Sequence, residues 1–222
     1  MVNIQNKTVW SIPPQEIESR SFAIIDSEAG EHTWDPKSWS VVRRLIHTTA
    51  DFDYVKDTRI SPGAIEAGIT ALQNSPLILT DTKMALNGIN RYNLAKYNPT
   101  LTCLVDHELT LKLSQKNKQT RSLAAVDLAF RQFIEPNKPV IWVIGNAPTA
   151  LYGLLEKLQS DASLPKPSLV VALPVGFVNA WESKKDLVAT ANFPYITNDS
   201  RKGGSNVAAA AINALAKLAN LA

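Results

Sequence analysis

The chain has 222 residues, 45% hydrophobic and 19% charged, with 23 Lys and Arg against 20 Asp and Glu for a formal charge of +3. This is the makeup of one α/β domain spanning residues 1–222. No apolar run reaches the roughly 18 residues that could cross a bilayer, and a single cysteine, Cys103, excludes an internal disulfide and a cysteine-built zinc site. The mild charge does not describe a nucleic-acid partner, which needs basic residues massed on one face. The opening MVNIQNKTVWSIPP lacks the apolar core of a secretory signal, so a cytoplasmic protein is expected.

In chain order, Pro13-Pro14 open a predicted helix over 13–28, with Ile17, Phe22, Ile24 and Ile25 spaced as on one apolar face. A second helix follows Asp35-Pro36, and Trp39, Val42, Leu45 and Ile46 fall on one side of it. A third follows Ser61-Pro62, read as cap and first turn, and carries Ile65, Ile69 and Leu72. Then five short apolar runs, PLILTD, LTCLVD, PVIWVIGN, PSLVVALPVGF and NFPYITN, alternate with helical patterns over 106–116, 120–133, 148–159, 180–189 and 205–221. Runs of that kind suit strands buried on both faces and joined by helical crossovers. The pattern predicts a three-layer α/β sandwich on a mostly parallel sheet, with extra helices at the N-terminus. It does not fix the strand order.

In such a sheet, ligands gather beyond the carboxyl ends of the strands. The loops leaving the runs are Asp81-Thr82-Lys83-Met84, Gly145-Asn146-Ala147-Pro148-Thr149, Pro174-Val175-Gly176-Phe177 and Ser200-Arg201-Lys202-Gly203-Gly204-Ser205. Their small residues admit close backbone approach, and Gly204-Ser205 opening a helix offers N–H groups to a carboxylate or phosphate. The plain alternative is turn glycines and caps. Neither GxxxxGK[ST], GxGxxG nor GxSxG occurs, and Cys103 inside an apolar run reads as a small core residue. The sharper feature is His47. On a helix of about 100° per residue, Arg43, Arg44 and His47 lie together, opposite the apolar side. An imidazole flanked by two guanidiniums is harder to protonate until an anion arrives, which is the layout for a general acid acting on a polycarboxylate. The same face is equally described as an ordinary solvated one. His32 and His107 have no such company, and no metal-ligand spacing is present.

RSFAII at 20–25, VVRRLIH at 41–47, TDTKMALNGI at 80–89, TRSLAAV at 120–126, GNAPTAL at 145–151, LPVGFVNAWESK at 173–184 and RKGGSNVAAAA at 201–211 occur in one order across the chain. Together they resemble the precorrin-8X methylmutase (precorrin isomerase) family over essentially its whole length. The resemblance implies a flavodoxin-like fold, a homodimer with substrate near the subunit interface, and an isomerase of corrin biosynthesis. That enzyme would move a methyl group from C-11 to C-12 of precorrin-8X or cobalt-precorrin-8, a polycarboxylate tetrapyrrole, giving hydrogenobyrinate or cobyrinate. It implies His47 as proton donor and acceptor and Ser21 and Arg44 as substrate contacts. Arg20, Arg91, Arg121, Gly203, Gly204 and Ser205 match further family positions. No cofactor is implied, and cobalt enters only as part of the macrocycle. A non-catalytic corrinoid carrier on the same scaffold is the rival reading. The chain departs from the family pattern at TTADFD after His47 and at Asn90.

Overall fold

Each of the five apolar runs forms a strand in the computed structural model, which describes residues 12–221. They are β2 (Leu77–Thr80), β3 (Thr100–Cys103), β4 (Val140–Ile144), β5 (Leu169–Ala172) and β6 (Tyr195–Asn198), all parallel, in the order β3-β2-β4-β5-β6. A sixth strand, β1 (Thr58–Ile60), pairs antiparallel with β6 at the sheet edge. The sequence gives no sign of β1, because three residues in an irregular stretch carry neither an apolar run nor a readable alternation. The chain turns back from β3 to lay β4 against the other side of β2, which places a topological switch point between β2 and β4.

Alternate strand residues enter two cores. Ile78, Ile141, Val143, Leu169, Val171 and Ile196 face α4 (Ala64–Gln73), α5 (Lys83–Gly88) and α11 (Ser205–Leu221). Leu79, Val140, Trp142, Ile144, Val170 and Ala172 face α8 (Arg121–Gln132), α9 (Pro148–Ser160) and α10 (Ala180–Thr190), with α7 (Glu108–Asn117) packed on α8. Three layers result, as the pattern predicts.

The N-terminal helices stack outside them. α11 is buried on almost every side, with Val207, Ala208, Ala209, Ala210, Ala211 and Ile212 all inside, and α2 (Pro36–Thr49) lies against it through Val41, Val42, Leu45 and Ile46. Asp35 caps α2 by accepting from the Lys37 and Ser38 N–H groups, and Ala50 closes it in the left-handed conformation at φ 53°. α1 (Pro14–Glu28) packs in turn on α2, and here the expected apolar face fails. Ile25 is its one buried residue, while Ile17 and Ile24 are 54% and 55% exposed. Polar contacts dock this helix instead: Asp26 takes the Trp39 indole N–H at 2.8 Å and the Arg43 guanidinium at 2.6 Å.

Other boundaries shift for local reasons. α4 begins at Ala64 behind Gly63, whose φ of 74° only glycine adopts freely, rather than at Ser61-Pro62. His107 caps α7 through Nδ1, so that helix starts at Glu108. The stretch after β2 is helical where the sequence suggests loop: Thr82 caps α5, and Asn90 caps α6 (Arg91–Leu94) by accepting from Tyr92 and Asn93. Two further short pieces, α3 (Tyr54–Asp57) and a 3₁₀ turn at Ala95–Tyr97, also carry no sequence signal.

The carboxyl edge of the sheet is closely packed. Asp81, just after β2, accepts from the Gly145, Asn146 and Ala147 N–H groups at 3.0, 2.7 and 2.7 Å and so joins β2 to the turn after β4. A Cβ on Gly145 would stand 2.6 Å from Ser205 Cα and 2.8 Å from Gly204 O. Backbone cannot yield as a flexible side chain can, so Gly145→Ala is expected to cost about 1–3 kcal/mol or more. Thermal unfolding should record this as a melting temperature lower by roughly 2–4 °C per kcal/mol, and an unchanged value would show that the edge is looser than described.

Candidate active site

α1 and α2 bring His47 and Ser21 together. In the last turn of α2, the His47 ring turns toward α1, and its Nδ1 lies 2.8 Å from Ser21 Oγ. The Phe22 ring meets the imidazole edge-on at 5.4 Å, and the Arg43 and Arg44 guanidiniums stand 4.4 and 4.7 Å from the centre of the same ring. Glu18, one turn before Ser21 on α1, accepts from Arg44 at 2.7 Å and also pairs with Lys217 of α11. The Arg44 hydrogen bond chiefly, with help from Lys217 and against burial, holds the Glu18 carboxyl down to about 2. Glu18 and Lys217 were not singled out by the sequence. The only signal for Glu18 is that it shares a helix face with Ser21, Phe22 and Ile25; Lys217 carries none.

His47 titrates below its ordinary value. Burial is the larger cause and the Arg44 charge the next, with Glu18 opposing and Lys217 adding. The direction matches the two-guanidinium expectation, and of the two guanidiniums Arg44 contributes, behind burial. Arg43 is spent on Asp26 and the Phe22 ring and plays no part.

A cleft of about 380 Å³ opens over this pair. Arg20, Ser21, Glu28 and His47 supply its polar lining, and Ile12, Ile17, Ile24, Ile25 and Phe52 the apolar one. The volume falls within the roughly 300–1,000 Å³ of small-molecule sites. Arg20 sits at the rim on the exposed side of α1, paired with Glu16 at 2.6 Å.

The remaining candidates lie elsewhere. Arg121, at the start of α8, lines a second hollow of about 510 Å³ with Asp81, Thr82, Lys83, Asp106 and Asn146, on the carboxyl side of β2 and β4. Gly203, Gly204 and Ser205 form the turn into α11 at the same edge. There the Gly204 N–H donates to Leu173 O at 2.9 Å, and Ser205 Oγ lies 2.7 Å from Thr82 Oγ1. The four loops named from the sequence thus converge, since the Gly176 N–H also reaches Arg201 O at 3.2 Å. Arg91 stands exposed at the start of α6 with no ion pair among the described residues. Neither Arg91, Arg121 nor the 203–205 turn shares the His47 cleft among the described residues. The link between the two regions is Lys202, whose ammonium bonds Asp51 at 2.6 Å and also pairs with Asp53, both just beyond α2. Among the described residues no three His, Cys, Asp or Glu side chains gather as a metal site, and Cys103 is half-buried, its thiol pushed up by burial.

Known proteins resemble the chain over most of its length. The family model described as Precorrin-8X methylmutase matches residues 16–218. Cobalt-precorrin-8 methylmutase from Leptospira interrogans is 41% identical, over 93% of this chain and 94% of its own. The Salmonella typhimurium protein of the same name is 42% identical over 91% and 94%. Precorrin-8X methylmutase from Pseudomonas aeruginosa is 41% identical over 91% and 94%. The solved precorrin-8X methylmutase of Thermus thermophilus superposes with a TM-score of 0.83 at 40% identity, covering 92% of this chain and 96% of that one. The family match and these relatives show that the chain belongs to the precorrin-8X methylmutase family, methyl-migrating isomerases of cobalamin biosynthesis.

Proposed function

We propose that the chain moves the methyl group from C-11 to C-12 of the precorrin-8X macrocycle, metal-free or cobalt-loaded, with His47 as the proton donor and acceptor. The observation that carries this reading is the Ser21–His47 hydrogen bond at the floor of an apolar cleft. A serine hydroxyl both donates and accepts. When the imidazole is protonated, Nδ1–H donates to Ser21 Oγ, and the same bond survives when Nε2 gives its proton away. Nε2 is then the atom that changes state, and the ring keeps its orientation through the cycle. In the mechanism, Nε2–H protonates a ring position near the migrating methyl, the methyl shifts within the molecule, and Nε2 takes the proton back. Nothing is oxidised or reduced, so the step calls for no redox cofactor or ATP, and cobalt belongs to the substrate.

The surroundings fit a polycarboxylate. Arg20 at the rim is free to exchange Glu16 for a substrate arm, because an exposed ion pair contributes little. Arg44, its side chain 12% exposed, acts on the imidazole mainly through its charge. Arg91, Arg121 and the 203–205 turn are assigned to further arms. A macrocycle with several arms outgrows a cleft of about 380 Å³, and the exposed Ile17 and Ile24 at its edge favour a homodimer in which a second copy helps enclose the substrate. The protein is assigned to the cytoplasm; no helix among the described residues is long and apolar enough to cross a membrane. Relatives named for the cobalt and for the metal-free substrate are equally similar, so the two macrocycles are tested side by side.

Incubation with each substrate, followed by absorption spectroscopy, should give a corrin spectrum with at least one of them; binding without conversion would favour the carrier instead. His47→Ala should lower kcat by about 10²–10⁴-fold while product still binds. Ser21→Ala should cost less, roughly tenfold, the equivalent of one hydrogen bond. A folded His47→Ala protein working at the wild-type rate would remove the histidine from the mechanism.

The pH profile gives an independent check. Burial and Arg44 lower His47 in the free protein, and bound carboxylates raise it again. A reaction that needs the imidazolium falls as pH rises through the histidine pKa. The inflexion in kcat/KM, which reports the free protein, should therefore lie below 6.5 and below the inflexion in kcat, which reports the complex. The reverse order would contradict an anionic substrate acting on His47.

A further inference from the structure

Lys184 of α10 is a lysine where a core residue would be expected. It is 1% exposed, and no carboxylate pairs with it among the described residues. Its ammonium donates to Asn198 Oδ1 and to the backbone oxygen of Lys202, both at 2.8 Å. Burial pulls its pKa down to about 8, against the more distant charges of Asp199 and Asp57. An ammonium kept in such a place costs stability, and an aliphatic side chain would fill the space without that cost.

Its partners all serve one peptide. Asn198 Nδ2 also donates to Lys202 O, at 3.1 Å, and to Ser200 Oγ at 2.8 Å, and Ser200 Oγ accepts from the Lys202 N–H at 3.3 Å. The carbonyl of the peptide joining Lys202 to Gly203 is therefore drawn inward by two donors. A trans peptide is planar, with its N–H opposite its C=O, so the Gly203 N–H is aimed the other way, and it has no acceptor among the described residues. Gly203 itself, at φ 153°, lies so near β5's exit that a Cβ would stand 2.1 Å from Leu173 O. The turn is held from both sides with one donor facing out.

We propose that Lys184 is a positioning residue: with Asn198 it orients the 202–203 peptide so that the Gly203 N–H is presented to a carboxylate arm of the substrate. This rests on the reading of the 203–205 turn as a substrate contact. The role is binding, not proton transfer, and that distinction makes it measurable.

The test uses the full chain and its corrin products, hydrogenobyrinate and cobyrinate, as probes. Lys184→Met keeps the length and removes the donor. Hydrogen exchange over 199–204 should rise by about tenfold or more while the strands stay protected. Substrate KM and product Kd should rise about tenfold, as for one hydrogen bond lost to an anion, with kcat little changed. Faster exchange with unchanged KM and Kd would overturn the reading of the turn as a contact, and the positioning role with it. A raised KM with unchanged exchange would overturn the positioning role alone. Faster exchange across the whole chain would mean that Lys184 serves only stability, which also overturns it. Should Lys184→Met fail to fold, Asn198→Asp retains a partner for the ammonium and removes the amide donors to Lys202 O and Ser200 Oγ. The same KM increase without a kcat loss is expected there, and its absence sinks the proposal.

Discussion

The position of the site depends on α11 being small. A helix buried on almost every side normally belongs to the middle of a core, and here four successive alanines, Ala208–Ala211, let one helix touch the sheet, α4, α5 and α2 at once. The approach is close enough that a Cβ on Gly88 would meet that of Ala209 at 2.9 Å. Larger side chains would hold α2 away, and α2 carries His47. The histidine is thus presented outside the three-layer sandwich, against α1, on a helix whose inner face is anchored through α11.

This arrangement separates the proton-transfer group from the place where an α/β sheet ordinarily collects its ligands. The loops beyond β2, β4, β5 and β6 are stitched together by Asp81, Leu173 and the Thr82–Ser205 pair, and they form the crevice expected at a switch point. His47 lies beyond it, past Asp51 and Asp53. Lys202 spans the gap, and its pKa is raised by the hydrogen bonds it donates to both aspartates. The turn that presents backbone donors and the segment that ends the histidine helix therefore share one lysine. A large flat ligand with arms on several sides is what such a divided site suits, since no single deep pocket is asked to hold it.

The parts legible in the sequence are those governed by continuous burial. PVIWVIGN and PSLVVALPVGF read as strands buried on both faces, and Val42, Leu45 and Ile46 as an inner helix face. Strand order was not legible, because a strand buried on both faces carries no record of its neighbours. β1 was invisible because Thr58–Ile60 owes its extended form to pairing with β6 and not to its own composition. Ile17 and Ile24 misled because apolar spacing on α1 reports something other than the chain's own core. For the site, helical geometry alone grouped Arg43, Arg44 and His47 but could not tell that Arg43 was committed to Asp26. The pairing of Ser21 with His47 joins residues 26 positions apart; family resemblance named both residues, each in its own role, but nothing in the sequence paired them.

The charges around His47 show why α1 is docked by polar groups where isoleucines were available. Lys217 and Arg44 each disfavour the imidazolium, and Glu18 between them favours it. With all three in place Glu18 opposes the two cations at the ring, and each incoming carboxylate adds to its side. An apolar α1–α2 seam would bind the helices as well, but it would leave burial alone to set the histidine. Tying Glu18 to both cations makes the element that closes the cleft the same one that tunes the proton carrier, so loss of α1 from its seat would remove Ser21, the counter-charge and the cleft wall together.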